Sequence, residues 1–266
     1  MLYDNDLYLL TGKFIIGILI FVRVLAFAVA APFFKNAAIP SQVKVFLSLL
    51  IAVSITNEFW MEQPVIEFHL WYLALLVLKE FMVGIVIGFA ANLVFYAATF
   101  AGGIVDIDMG YQASLLFDIN SNTPTLVGTL KEMMVLMIFL YINGHHQIIE
   151  AVYASLRIVP ITTFAITEST VALLVKFSTN VLIIGIKLAA PVIVALFCTN
   201  LALALLARVA PQTNIFILSF QLKVAVGLIM LAISIPLIVY VSKWALGSMQ
   251  ETTFELLMSI NPGRVP

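Results

Sequence analysis

Six long apolar segments dominate the sequence and limit the folds that the chain can adopt. They cover residues 14–31, 43–55, 68–101, 126–142, 171–206 and 215–241. A helix that crosses a lipid bilayer needs roughly 20 apolar residues with few charges. Only 10% of the residues are charged, whereas soluble domains carry about 25%. The sequence therefore predicts an all-α integral membrane protein built of helical hairpins.

Several of these segments carry charged residues, which is unusual for helices surrounded by lipid. Arg23 lies in the middle of the first segment, and Lys79-Glu80 and Lys131-Glu132 interrupt two later ones. A charge inside a membrane helix is costly and normally faces protein or water. We therefore expect the helices to pack mainly against other protein, including other subunits.

The neighbours Lys79-Glu80 and Lys131-Glu132 are candidate intramembrane ion-pair residues. Side chains next to each other in a helical sequence point about 100° apart, so neither pair closes on itself. We predict that the two pairs meet across a helix–helix interface, with Lys79 bound to Glu132 or Glu80 bound to Lys131.

Gly84 and Gly88 form a GxxxG pattern, and small residues continue beyond them to Ala101. Such a stripe lets a second helix approach closely. The approaching helix can belong to the same chain or to another subunit, and the pattern does not decide between these two packing arrangements.

A polar stretch at residues 102–128, GGIVDIDMGYQASLLFDINSNTPTLVG, interrupts the apolar pattern. Asp106 and Asp108 suggest an aspartyl-protease dyad. However, positions i and i+2 of a helix lie about 200° apart, so the two carboxylates could not reach one substrate. The alternative interpretation is that they are loop or cavity-lining carboxylates.

Little else in the sequence suggests catalysis. His145 and His146 lack an HExxH pattern or an acidic cluster, and we expect them to open a helix after a turn at Asn143-Gly144. The chain has no GxSxG motif and no P-loop. Cys198 lies in an apolar run and is expected to be buried. The residues therefore predict no enzyme, no cofactor and no metal site.

Two classes of membrane protein remain. Secondary transporters often contain inverted repeats and broken helices. Pro191 and Pro236 could break helices, but the sequence shows no repeat. A non-catalytic subunit of a membrane complex better explains segments that are short, uneven and charged.

Four blocks occur together in order along the chain. They are FVRVLAFAVAAPFFKNAAIPSQVKVFLSLLIA at 21–52, GFAANLVFYAATFAGGIVDIDMG at 88–110, FLYINGHHQIIEAVYAS at 139–155 and KLAAPVIVALFCTNLALALLARVAPQTNIFILSFQLKVAVGL at 187–228. In these blocks the chain resembles the FliR family of flagellar type III export-gate proteins, and ARVAPQTNIF is the most specific part. The injectisome SctT group shares much of this pattern, but NGHH with PFF…IP…VK favours the flagellar branch.

The resemblance implies a non-enzymatic pore subunit without a cofactor in the bacterial inner membrane. Residues 1–165 would be a FliP-like part, residues 166–246 a FliQ-like hairpin and residues 247–266 a tail. Such a chain joins FliP-like and FliQ-like subunits in a spiral hetero-oligomer at the flagellar basal body, with an FlhB-like protein associated. Unfolded flagellar proteins pass through its central conduit.

The resemblance also implies a plug, a loop at residues 110–123 that folds into the conduit. Its residue types suit a seal, because apolar side chains can dewet a constriction. Irregular backbone at membrane depth is tolerated where it lines a cavity. The predicted plug and gate residues are Gly110, Tyr111, Leu115, Leu116, Phe117, Asp118, Asn120 and Pro124.

The block ARVAPQTNIF is predicted to be the polar turn between the last two long helices. A proline and an asparagine suit a helix end and a restart, and an arginine favours the negative end of a helix dipole. Either the turn forms a conduit entrance or subunit contact, or it is only a tight turn that the fold requires. The residues concerned are Arg208, Pro211, Gln212, Asn214 and Phe216.

Overall fold

The computed structural model describes residues 2–31, 40–64, 66, 69–111, 125–212 and 214–261, and these residues form helices without strands. In order, the helices are α1 Leu2–Ala30, α2 Ser41–Phe59, α3 Leu70–Met109, α4 Leu126–Tyr141, α5 Gly144–Ile158, α6 Glu168–Val209, α7 Ile215–Gly247 and α8 Met249–Ser259. One turn of 3-10 helix, Trp60–Glu62, follows α2. The all-α prediction is thus confirmed.

Five of the described helical stretches are long and apolar enough to cross a membrane. They are Thr11–Ala30, Ser41–Glu62, Leu70–Met109, Glu168–Val209 and Ile215–Ser259. A sixth candidate consists of α4 and α5 together, if the two helices are counted as one broken span. At this break Asn143 has a φ of 58°, a left-handed conformation that asparagine tolerates. The predicted turn at Asn143-Gly144, with the histidines opening α5, is confirmed.

α3 extends beyond the apolar segment that predicted it. The segment ends at Ala101, but the helix continues through Gly102 to Met109. Asp106 and Asp108 are therefore helical residues, and the loop begins only after them. A glycine costs a helix about 1 kcal/mol relative to alanine, and at Gly102 close packing against α4 offsets this cost.

The chain divides into two compact units. The first comprises residues 1–92, 143–176 and 248–266, and the second comprises residues 93–142 and 177–247. These compact units are defined by contacts within the chain. The predicted FliP-like part, FliQ-like hairpin and tail are defined by family likeness, so that division stays a prediction.

Arg23 lies at the centre of the first unit and is fully buried. Its guanidinium donates hydrogen bonds to the Glu80 carboxylate at 2.6 Å, the Ser155 hydroxyl at 3.0 Å and the Val159 carbonyl at 2.9 Å. The rigid fork of donors on an arginine suits several partners at once. One side chain therefore ties α1 to α3, to α5 and to the residue that follows α5.

Both residues of the pair Lys79-Glu80 have partners within the first unit. Glu80 pairs with Arg23. Lys79 donates to the backbone carbonyl of Thr162 at 3.1 Å. A carbonyl satisfies an ammonium group without bringing a second charge out of water, which is costly.

α1 packs on the small-residue stripe of α3. A Cβ atom on Gly84 would overlap the carbonyl of Arg23, and one on Gly88 would overlap the Cβ of Ala30. Asn92, one turn further along α3, donates to the carbonyls of Ala30 and Gly88. Of the two possibilities left open by the GxxxG pattern, the structure places a helix of the same chain at this stripe.

The expectation that Cys198 is buried is wrong. Its side chain is exposed on α6. An apolar run of sequence indicates burial only when protein surrounds the helix on every side, and α6 presents an exposed apolar face.

Replacing Arg23 with methionine is expected to lower the free energy of unfolding by about 3–5 kcal/mol, because Glu80 would remain buried without its counter-charge. Thermal unfolding of the detergent-solubilised chain, followed by circular dichroism, measures the change.

The double variant Arg23→Met with Glu80→Leu should recover much of this loss, because an apolar pair replaces a buried ion pair at little cost. Lys187→Met is the control, since Lys187 is exposed on α6. A double variant as unstable as the single variant would contradict the importance of the pair.

Candidate functional site

The predicted plug lies between α3 and α4, and the structure describes both ends of this loop. Gly110 and Tyr111 are described at the first end, and Thr125 is described at the second. Six of the predicted plug residues lie outside the described residues: Leu115, Leu116, Phe117, Asp118, Asn120 and Pro124. The described part of the site consists of the helix ends on either side of the loop.

The first end of the loop is a left-handed glycine. Gly110 has a φ of 86°, a conformation that glycine adopts without the steric cost of a Cβ. Its N–H donates to the carbonyl of Ile107 at 3.1 Å. Tyr111 then packs against the core of the second unit. The chain thus leaves α3 abruptly at the position where the sequence predicts a turning point.

The second end of the loop is held by a carboxylate from the neighbouring helix. Asp106 is fully buried, and both of its oxygens accept from the Val127 N–H at 3.1 Å. The first N–H groups of a helix have no partners within that helix. A carboxylate supplies such a partner and interacts favourably with the positive end of the dipole. Asp106 therefore caps α4 from α3.

One turn before this cap, the backbones of α3 and α4 touch. A Cβ atom on Gly102 would overlap the backbone of Gly128. A Cβ atom on Gly128 would overlap the Thr125 side chain and lie 3.1 Å from the carbonyl of Thr99. Small residues permit such a close approach. The loop therefore starts and ends at a helix pair that is joined by a backbone contact and by a charged cap.

Lys131 supplies the compensating positive charge in this region. It is fully buried, interacts electrostatically with Asp106 and donates to the carbonyl of Leu188 at 3.0 Å. Glu132 accepts a hydrogen bond from Thr99 at 3.4 Å. Lys131 and Glu132 thus have partners within the second unit, and their pairing with Lys79-Glu80 stays a prediction.

A buried apolar cluster includes Val127, whose N–H Asp106 caps, and Leu188, whose carbonyl accepts from Lys131. Leu188 belongs to α6, so its hydrogen bond with Lys131 joins α4 to α6. The buried cluster consists of Ala101, Val105, Met109, Val127, Leu188, Ala189, Val192, Leu196, Leu231 and Ile238. Both ends of the loop are thus fixed to one continuous core.

Asp108 has a different environment from Asp106. It is half-buried and lines a cleft of about 460 Å³, together with Ile104, Ile107, Ile193, Phe197, Asn200 and Lys223. Since the two aspartates serve separate sites, they do not form a dyad, in agreement with helix geometry. Among the described residues, no three acidic, histidine or cysteine side chains are grouped to hold a metal ion.

The turn between α6 and α7 forms where the sequence predicts it. Arg208 lies in the last turn of α6. The Asn214 side-chain oxygen accepts from the Ile217 N–H at 3.4 Å and so caps the start of α7. The five residues predicted for this site are all exposed: Arg208, Pro211, Gln212, Asn214 and Phe216.

Comparison with known proteins identifies the class to which this fold belongs. Residues 14–249 match the family described as bacterial export proteins, family 1, and the chain is a member of that family. It is 32% identical over 220 residues to the flagellar biosynthetic protein FliR of Escherichia coli (strain K12), which covers 82% of this chain and 83% of the relative. The predicted resemblance to FliR proteins is confirmed.

Other relatives extend this result. The chain is 29% identical over 245 residues to the flagellar biosynthetic protein FliR of Bacillus subtilis (strain 168), with coverage of 90% of this chain and 93% of the relative. Yop proteins translocation protein T of Yersinia pestis is 32% identical over 190 residues, with coverage of 70% and 71%. The likeness thus extends to a protein named for translocation, over a smaller share of the chain.

Replacing Asp106 with leucine is expected to speed hydrogen exchange in the first turn of α4, because the buried Val127 N–H loses its acceptor. An unsatisfied buried donor costs about 1–3 kcal/mol. Hydrogen–deuterium exchange of peptides from α4 measures the effect.

Asp106→Asn should have a smaller effect, since one acceptor oxygen remains. Asp108→Leu is the matched control on the same helix, because Asp108 lines the separate cleft. Equal acceleration in the Asp106→Leu and Asp108→Leu variants would show that Asp106 does not act as the cap.

Proposed function

We propose that this chain is a non-enzymatic subunit of the flagellar type III protein export gate in the bacterial inner membrane. The observation that carries the proposal is the match to flagellar FliR proteins over at least four fifths of the chain. The candidate membrane spans support the location. The match to a Yop translocation protein favours an injectisome gate as a second candidate, but it covers less of the chain.

The helices themselves support a role as one subunit among several. Only 28% of the most hydrophobic stretch of α6 is buried, and 22% of that in α7–α8. Lys187, midway along α6, is exposed, and a charge within a membrane span is costly beside lipid. FliP-like, FliQ-like and FlhB-like partner subunits would cover these apolar faces and provide a polar neighbour for the lysine.

The exposed α6–α7 turn is the second surface that we assign to a partner subunit. Val209 and Phe216 flank the turn with 82% and 86% of their surface exposed. Large apolar side chains next to a polar turn are typical of protein–protein contacts. The polar residues between them would form hydrogen bonds at the rim of that contact.

The gate itself is the loop at residues 110–123. Three consecutive apolar residues, Leu115, Leu116 and Phe117, would dewet the conduit when it is idle. The capped and glycine-packed ends of α3 and α4 support this assignment, because a seal needs fixed anchors on each side. Unfolded flagellar proteins would displace the loop when they pass.

Deleting residues 110–123 should leave the complex assembled but leaky to small ions, because the apolar constriction is lost while the helix anchors remain. Potassium efflux from cells or from proteoliposomes that contain the purified complex measures the leak. Phe117→Ala should give a milder leak, since Leu115 and Leu116 remain.

Replacing the same residues with an equal length of glycine and serine is the matched control. It preserves loop length but removes apolar side chains, so it should leak like the deletion. An intact permeability barrier in both variants would reject the gate assignment.

Co-purification tests the proposed function as a whole. We expect a tagged chain, expressed in its own organism, to purify with FliP-like and FliQ-like proteins, and loss of its gene to stop export of flagellar subunits. Loss of injectisome cargo with normal flagella would support the second candidate. Purification as a lone solute carrier would support a secondary transporter and reject both.

A further inference from the structure

A groove between α1 and α2 lies outside every site described so far. Its volume of about 390 Å³ falls within the range of small-ligand pockets, about 300–1,000 Å³. Most of the lining is apolar or small: Phe14, Gly17, Ile18, Phe21, Leu49 and Val53. Both helices are candidate membrane spans, so the mouth of the groove faces the environment of acyl chains.

The polar residues of the groove are confined to one end. Gly17 lies against Thr56, because a Cβ atom on this glycine would be 3.5 Å from the threonine methyl group. Lys13, one turn before Gly17, lies over Trp60, one turn after Thr56. The two helices therefore run antiparallel, and Lys13, Thr56 and Asn57 line the same end.

Two cationic side chains lie over aromatic rings at the end of α2. Lys13 Nζ is 5.6 Å from the centroid of the Trp60 ring, and the Arg157 guanidinium is 4.8 Å from that of Phe59. Both distances are within the range of cation–π attraction, about 6 Å. Tryptophan and basic residues at the end of a membrane helix are typical of the lipid headgroup level. Three exposed charged residues near this end do not line the groove: Glu58, Glu62 and Arg157.

We propose that this groove binds one anionic phospholipid. An acyl chain lies along the apolar lining, and the phosphate lies beside Lys13. The apolar wall, with a lysine and two polar residues at one end, matches the two parts of a lipid molecule. This binding requires only that the chain lies in a membrane and does not rest on the export function.

Native mass spectrometry of the purified full-length chain tests the proposal. The chain is equilibrated in mixed micelles with equal amounts of phosphatidylglycerol and phosphatidylcholine, and the retained lipids are counted. We expect one retained phosphatidylglycerol per chain. Lys13→Gln should lower the preference for phosphatidylglycerol roughly five-fold, the effect of one basic residue near an anionic lipid surface.

Two variants separate the headgroup contact from the groove. Gly17→Leu should abolish retention of both lipids, because its side chain fills the groove; the backbone has room for a Cβ, and leucine favours a helix. Lys243→Gln is the matched control, since Lys243 also lies over an aromatic ring, 5.1 Å from Tyr141, but lines no part of the groove. It should leave retention unchanged.

Several results would overturn the proposal. Equal retention of the two lipids by the unaltered chain would remove the role of the phosphate, as would an unchanged preference in Lys13→Gln. Unchanged retention in Gly17→Leu would place the lipid elsewhere. A photo-crosslinker at Ile18 that captures another protein subunit in the assembled complex, and no lipid, would assign the groove to a subunit contact.

Discussion

A buried guanidinium governs the arrangement of the first unit. Arg23 cannot remain unpaired in an apolar interior, and its three acceptors lie 57, 132 and 136 residues away along the chain. Its hydrogen bonds form only when α1, α3 and α5 have come together. A packing that omits one of these helices would leave a buried donor of the guanidinium without its acceptor. Buried ion pairs contribute little net stability compared with apolar packing. Their larger effect here is to select one arrangement among many that would bury apolar surface equally well.

In the second unit, buried charged side chains bond to backbone groups. The carboxylate of Asp106 accepts from the N–H of Val127, and the ammonium of Lys131 donates to the carbonyl of Leu188. The start of a helix offers unpaired N–H groups, and a carbonyl in the middle of a helix can accept a second hydrogen bond through its other lone pair. A charged side chain can therefore be satisfied without a charged partner in direct contact. Both of these buried charged residues, Asp106 and Lys131, lie near the base of the loop that we assign as the gate.

Much of the fold follows from the sequence, because long apolar runs leave a membrane chain few alternatives to helices. The break at Asn143 and the turn before Asn214 were also predictable, since both residues suit helix ends. The end of α3 was not: a GlyGly pair suggests a break, but Gly102 packs against Gly128, and this contact depends on a residue distant in sequence. For the same reason the partners of Glu80 and Lys131 could not be predicted. Each charged side chain has many possible acceptors. They include backbone carbonyls, which every residue carries, so the sequence does not indicate which one is used.

The backbone contact between Gly102 and Gly128 restricts which residues the base of the loop can accept. Within the crossing, a Cβ atom on Gly102 would overlap the backbone of Gly128, and one on Gly128 would overlap the Thr125 side chain. The segment between Tyr111 and Thr125 starts and ends at this pair of helices. A larger residue at Gly102 is therefore expected to displace both ends of the segment that we assign as the gate, without changing any residue of that segment.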